Sequence, residues 1–120
     1  MINSYQDLEV WTRAIELAVS SYQLSQRWPA HEKFGLTSQI RRASVSIAAN
    51  IAEGHGRAYR KDFVRHLSIA RGSLKEVETH LIIGQRLGYL ESSELDLILA
   101  TTQVLGRKLT TLRKRLDTSK

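Results

Sequence analysis

The chain has 120 residues, with 18 Lys and Arg against 12 Asp and Glu, for a formal charge of +6 and a pI near 10.0. That length suits one domain around one core, spanning residues 1–120, and the lack of cysteine excludes disulfides, thiol catalysis and thiolate metal sites. No apolar run reaches the roughly 18 to 20 residues a membrane span needs and MINSYQDLEV is unlike a signal peptide, so a cytoplasmic protein without a membrane partner is expected, and its cation excess favours RNA, DNA or an acidic protein surface as ligand.

The first helix is expected to open near Ser4, where Ser4-x-x-Asp7 fits a capping box, and to stop before Pro29. It carries two apolar stripes. Leu8, Trp11, Ile15, Ala18 and Tyr22 form one; Val10, Ala14, Leu17, Ser21, Leu24 and Trp28 form the other, with the three-four spacing of a heptad seam. A helix in an isolated bundle needs one stripe. The second therefore either widens the core contact or forms a subunit interface, with Val10, Leu17 and Leu24 as the candidate residues. PAHEKFG, from Pro29 to Gly35, is expected to be a loop with Phe34 tucked against a helix end.

In the second helix Leu36, Ile40, Ala43, Ile47 and Ile51 recur at steps of four, three, four and four, one stripe at about 100° per residue. Its other side reads Ser38, Arg42, Val45, Ala49 and Ala52, so poor in charge that a covered second face is expected, with Val45 and Ala49 as further interface candidates. Gly54 is expected just past the helix end, where a left-handed residue suits glycine. A basic loop follows, Arg57 to Lys61.

The third helix is expected from Tyr59 or Arg60 to Leu87, closed by Gly88, with Phe63, Leu67, Ala70, Leu74, Val77 and Leu81 inward. Lys61, Arg65 and Lys75 cluster on its outer side, with Gly72 between them, either a tolerated surface glycine or a point of close backbone approach. Ser93-x-x-Asp96 offers a capping signature for the fourth helix. Its core stripe is Leu95, Ile98, Thr102, Leu105, Leu109, Leu112 and Leu116. The tail adds Arg107, Lys108, Arg113, Lys114, Arg115 and Lys120 against Asp117 alone, charges that also suit a helix C-terminus. Four helices with short connections and no strand-like alternation predict an all-α, antiparallel up-down-up-down four-helix bundle.

Three segments carry a family resemblance: Gln39-Ile40-Arg41-Arg42-Ala43, Ser46-Ile47-Ala48-Ala49-Asn50-Ile51-Ala52-Glu53-Gly54, and Ile69-Ala70-Arg71-Gly72-Ser73-Leu74-Lys75-Glu76. With the Leu8-to-Trp11 opening, Phe34-Gly35-Leu36 and Leu87-Gly88-Tyr89-Leu90, the chain resembles the four-helix-bundle family of intervening-sequence proteins along nearly its whole length. The founding members of that family are encoded inside 23S ribosomal RNA genes of some bacteria. The resemblance implies a homopentamer; from the residues alone one sees only surplus apolar surface. A similar bundle, the accessory variability factor of diversity-generating retroelements, works with a reverse transcriptase and nucleic acid, an analogy of fold for a nucleic-acid role.

Catalysis needs a nucleophile, an acid-base pair or a metal. None is legible: the Glu-x-x-His pairs of di-metal bundles are missing, Glu76 and His80 being four apart, and Gly54-His55-Gly56 is too short for a phosphate loop. No catalytic residue, metal site or cofactor is expected. Asn50, Glu53 and Gly54 are read as a structural motif closing the second helix, with Arg41, Arg57 or Arg60 as charge partner. Two functions remain. One is a homo-oligomer binding RNA or DNA through Arg41, Arg42, Arg57, Arg60, Lys61 and Arg65, with Tyr59 the one ring beside the basic loop. The other is a protein-interaction scaffold whose arginines form ion pairs.

Overall fold

The computed structural model describes residues 4–117; Lys120, counted above among the tail cations, lies outside them. Four helices follow in order: α1 (Glu9–Ser25), α2 (Leu36–His55), α3 (Arg60–Arg86) and α4 (Ser92–Asp117). Short 3-10 turns, Tyr5–Asp7 and Ala30–Glu32, precede α1 and α2. Each helix packs on its sequence neighbours, α4 returns to α1, and the diagonal pairs do not meet. Cross-helix contacts fix the direction of each pairing. Arg41 bonds Ser25, Ser46 bonds Ser73, Thr102 bonds Glu78, and Lys108 and Arg27 reach Glu9 and Glu94. Residue numbers rise on one helix as they fall on the next, as an up-down-up-down bundle requires. The rod measures 48 × 24 × 20 Å.

The inner stripes of α2 and α3 go where their periodicity sends them: Leu36, Ile40, Ala43, Ile47 and Ile51 are buried against Leu67, Ala70, Leu74, Val77 and Leu81, and Ile98, Thr102, Leu105 and Leu109 of α4 complete the core. The outer face of α2, expected to be covered, carries exposed Val45 and Ala49.

In α1 the heptad-spaced stripe, read as a candidate interface, is the core stripe. Val10 is 5% exposed and Leu17 0%, with Ala14 and Ser21 buried on the same stripe and Leu24 packed at the margin. The cause is size: Ala14 and Ser21 let α1 approach its neighbours closely, and dense packing favours that side. Bulkier Ile15, Val19 and Tyr22 stay outside, exposed.

Helix ends depart from the sequence reading in local ways. Ser4 accepts a hydrogen bond from the Gln6 backbone N–H (3.1 Å), capping the 3-10 turn rather than α1. The α1-to-α2 connection caps α2 from outside: Glu32 Oε1 accepts from the Leu36 N–H (3.0 Å), and the Tyr89 hydroxyl donates to Glu32 Oε2 (2.7 Å). Phe34 projects outward, 88% exposed, instead of packing on a helix end. Glu94, not the Ser93–Asp96 pair, caps α4, accepting from the Glu91 N–H at 2.9 Å. Gly88, at φ 84°, closes α3 as expected. No helix among the described residues is long and apolar enough to cross a membrane.

Candidate nucleic-acid interface

The α2–α3 pairing is held by a polar chain inside the apolar contact. Ser73 and Ser46 share a hydrogen bond of 2.9 Å; the Asn50 amide donates to the Ser46 carbonyl (2.9 Å) and hydroxyl (3.1 Å); and Asn50 Oδ1 lies 3.0 Å from His66 Nδ1. With Asn50 Oδ1 as acceptor, His66 carries its proton on Nδ1. Its Nε2 sits 3.9 Å from Glu53 Oε2, and Glu53 is bonded in turn by the Arg57 guanidinium. That guanidinium holds the Glu53 carboxyl below the usual range, with His66 and Arg65 adding attraction. Glu53 thus has the Arg57 partner its spacing suggested. Asn50 ties two helices together instead of capping one.

Gly54 has a different role from the one its position suggests. It lies inside α2, buried, and the backbone φ values show no left-handed turn there. A Cβ at Gly54 would stand 2.6 Å from His66 Cβ and 3.1 Å from Phe63 Cδ1. Glycine is needed because α3 crosses α2 at that point. Ser46, Ser73 and His66 are the members of this cluster missed in the sequence, and His66, 5% exposed, is the one that left a signal. Its signal was its place one residue before Leu67 on the inward side of α3, where an unpaired imidazole would be costly.

These groups lock two helices together. Ser46 Oγ is bonded to Ser73 and Asn50, with no base on it, and no cluster of three His, Asp or Glu among the described residues is placed to hold a metal.

The six predicted cations do not form one surface. Arg41 is committed internally: Nε donates to Ser25 Oγ (3.0 Å), Nη2 to the Tyr22 carbonyl (3.3 Å), and the guanidinium lies 4.6 Å from the Tyr22 ring centre. Arg42 lines a cleft of about 580 Å³ between α2 and α3, with Phe34, Glu76 and His80. Burial there pushes the His80 imidazole down against the pull of Glu76. Arg57, Arg60, Lys61 and Arg65 gather at the α2–α3 turn, exposed. At ~1.5 Å rise per residue, Arg42 stands about 22 Å along α2 from Arg57, well beyond the ~8 Å over which exposed charges act on one another at physiological salt.

The bundle nevertheless sorts its charge. Cutting each helix at its midpoint puts eleven cations and six acids of the described residues in the half containing the α2–α3 turn, and six of each in the other. The basic half combines Arg60, Lys61 and Arg65 with the last turns of α4, brought alongside by the antiparallel fold. The half-exposed to exposed rings of Phe63 and Tyr59 lie there too. Three cations outside the predicted set, Arg71, Lys75 and Arg107, line a furrow between α3 and α4. Lys75 and Arg107 are conspicuous in the sequence as charges; only the register of α3 on α4 shows that they face one groove.

A second kind of surface runs between α1 and α4. Exposed ion pairs, Glu9 with Lys108 (3.2 Å) and Arg27 with Glu94, sit near its two ends. Along it lie two clefts: one of about 430 Å³ with a floor of Leu17, Leu24, Leu97 and Ile98, and one of about 630 Å³ in which Leu8, Val10, Val104 and Leu112 lie beside Glu9, Arg107, Lys108 and Arg115.

A family model described as 23S rRNA-intervening sequence protein matches residues 6–111. A 1.70 Å crystal structure of a protein of unknown function from the S23 ribosomal protein family of Bacteroides thetaiotaomicron is similar, with a TM-score of 0.78 and 27% identity, covering 88% of this chain and 98% of that one. No curated protein matches the chain significantly.

Proposed function

The chain belongs to the 23S rRNA-intervening sequence protein family, and from that premise we propose that it is a non-enzymatic, homo-oligomeric binding protein that engages the phosphate backbone of RNA or DNA through the basic end of its bundle. One observation carries this: the net charge of the described residues is concentrated in one half of a 48 Å rod. Arg60 and Lys61 are exposed there, and neither side chain makes a hydrogen bond or ion pair among the described residues. Such a surface holds phosphates in any sequence context and releases counterions on binding, so affinity falls steeply with salt. Oligomerisation would repeat the patch and multiply a modest affinity. The faces available for self-association are the exposed apolar residues of α1 and α2, namely Ile15, Val19, Val45 and Ala49. The pentamer implied by the family resemblance is the assembly we propose.

The experiment is a mobility shift of structured RNA and duplex DNA across a salt series. Replacing Arg60, Lys61 and Arg65 by Gln should weaken binding to all sequences alike and lower the slope of log K against log salt by about 2 to 3. Absence of a shift at low salt, or binding indifferent to salt, would reject the reading. The apolar cleft floor of Leu17, Leu24, Leu97 and Ile98 between α1 and α4 favours a second reading, a scaffold for a protein partner in which the arginines serve ion pairs. That reading gains if nucleic acid fails to bind at low salt.

A further inference from the structure

We propose that the furrow between α3 and α4 is a phosphodiester site, along which successive phosphates of a nucleic-acid strand lie; this rests on the polyanion-binding reading above and says where the strand runs. The furrow encloses about 410 Å³ and is lined by Arg71 and Lys75 from α3 and by Gln103, Arg107, Thr110 and Thr111 from α4. No carboxylate lines it. Glu78, close by on α3, is taken up by the Thr102 hydroxyl (2.7 Å) and Lys75 Nζ (3.2 Å). The side chains of Arg71, Arg107, Gln103, Thr110 and Thr111 make no hydrogen bond or ion pair among the described residues. Two guanidiniums, an amide and two hydroxyls therefore face one groove with their donors unused.

The arrangement is linear. Arg71 and Lys75 are one helical turn apart, about 6 Å, and Lys114 follows Arg107 after two turns, about 10 Å, on the same face of α4. The row leads from the furrow toward the basic end, where Arg60, eleven residues or about three turns before Arg71, lies on the same side of α3. A line of cations fits a ligand with repeated anionic groups better than a single anion. Neutral donors between them match the hydroxyl and amide contacts that phosphates accept beside those from Arg and Lys.

One glycine adds to this. Gly106 lines the furrow, and a Cβ there would make only an ordinary 3.4 Å contact with Leu74. Packing inside the bundle does not require glycine at that position, which leaves helix backbone bare where a strand would pass.

The test is fluorescence anisotropy of a labelled single-stranded RNA and the DNA of the same sequence, each in a salt series, with helicity checked by circular dichroism. The double variant Arg71→Gln, Arg107→Gln should retain wild-type helicity, lose tenfold or more in affinity at low salt and reduce the salt slope by about 2. If that variant binds like wild type while Arg60→Gln, Lys61→Gln does not, the furrow is overturned and the basic end remains. If wild type binds neither strand at low salt, the reading beneath falls and this inference with it. Displacement of RNA by millimolar inorganic phosphate would mark a free-anion site. Displacement by an oligoglutamate peptide as effective as unlabelled RNA would mark an acidic protein surface. Either of those results also overturns the proposal.

Discussion

Replacing glycine by alanine inside a helix ordinarily stabilises it by about 1 kcal/mol, because alanine has less backbone freedom to lose and better helix propensity. Gly54 and Gly72 both lie within helices, and the structure assigns the same substitution opposite signs at the two sites. At Gly72 a methyl meets nothing within 4 Å, so Gly72→Ala should gain the full ~1 kcal/mol. At Gly54 the new carbon would lie 2.6 Å from His66 Cβ. That atom is fixed to the backbone and cannot rotate away, so α3 itself must move. Overpacking of this kind costs about 1 to 3 kcal/mol. Displacing α3 also stretches the 3.0 Å bond between Asn50 and His66, worth about another 1 kcal/mol. After the propensity gain, Gly54→Ala should destabilise by about 2 kcal/mol. At about 4 °C per kcal/mol for a chain of this size, Tm falls by about 8 °C in one variant and rises by about 4 °C in the other. Both should be measured by thermal and urea denaturation at one protomer concentration, since assembly would otherwise shift the midpoint. A Gly54→Ala midpoint at or above wild type would refute the close crossing of α2 and α3.

Asn50→Ala removes both tethers of the buried polar chain and leaves His66 Nδ1 unpaired, a loss of about 1 to 3 kcal/mol read as a lower urea midpoint; an unchanged midpoint would mean water replaces the amide. Leu17→Glu places a charge at a fully buried position and should unfold the bundle, with loss of far-ultraviolet ellipticity, whereas Val19→Glu and Val45→Glu should keep helicity and shift size-exclusion elution toward a smaller species if their faces join subunits. The Leu36 backbone N–H and the Tyr89 hydroxyl hold the Glu32 carboxyl below its ordinary 4.5, so its contribution is present above that pH and lost as pH falls through the folded value. The same contact raises Tyr89 above its ordinary 10.0, and that contribution is lost as pH rises past it. Glu32→Gln should therefore flatten the stability decline at both extremes of a pH–denaturation profile; a profile unchanged at both ends would show the cap is not formed in solution. Amide hydrogen exchange should be slower in the facing parts of α2 and α3, which share the polar chain and the tighter packing, than in α1 and α4 along their open seam.

The helices and their inward stripes were legible because burial on one side of a helix imposes a period of 3.6 that survives in Leu36–Ile51 and Phe63–Leu81 without reference to any partner. In α1 both sides carry apolar residues, and periodicity cannot rank them. What ranks them is how closely each lets the helices approach, a property of facing surfaces that one strip of sequence does not contain. Gly54 was ambiguous for a related reason: a glycine just past a helix and a glycine under a crossing helix read alike until the crossing helix is placed. His66 and Asn50 are 16 residues apart and on different elements, so their bond is invisible to helical spacing. The cations were legible as residues but not as a surface. Arg41 and Arg42 are neighbours in sequence, yet one is clamped on Tyr22 and the other lines a cleft with Phe34.

The two open grooves follow from how the bundle divides its packing. α2 and α3 share the closest contact, drawn in by Gly54 and held by the serine–asparagine–histidine chain, which leaves α4 to cover the remaining flanks of both α1 and α3. One helix cannot seal two flanks with a single stripe. Where α4 meets α1 its margin has an apolar floor at Leu97 and Ile98 and, further along, Val104 and Leu112 beside Lys108 and Arg115; where it meets α3 its margin is Gln103, Arg107, Thr110 and Thr111, with Arg107 and Thr111 reaching both clefts. Both furrows run along α4, but only the α1 side offers an apolar floor. A partner recognised by buried apolar area would enter at Leu24 and Leu97, and a polyanion at Arg71 and Gln103. Mutations at those residues, which line one cleft each, can therefore separate the scaffold and nucleic-acid readings.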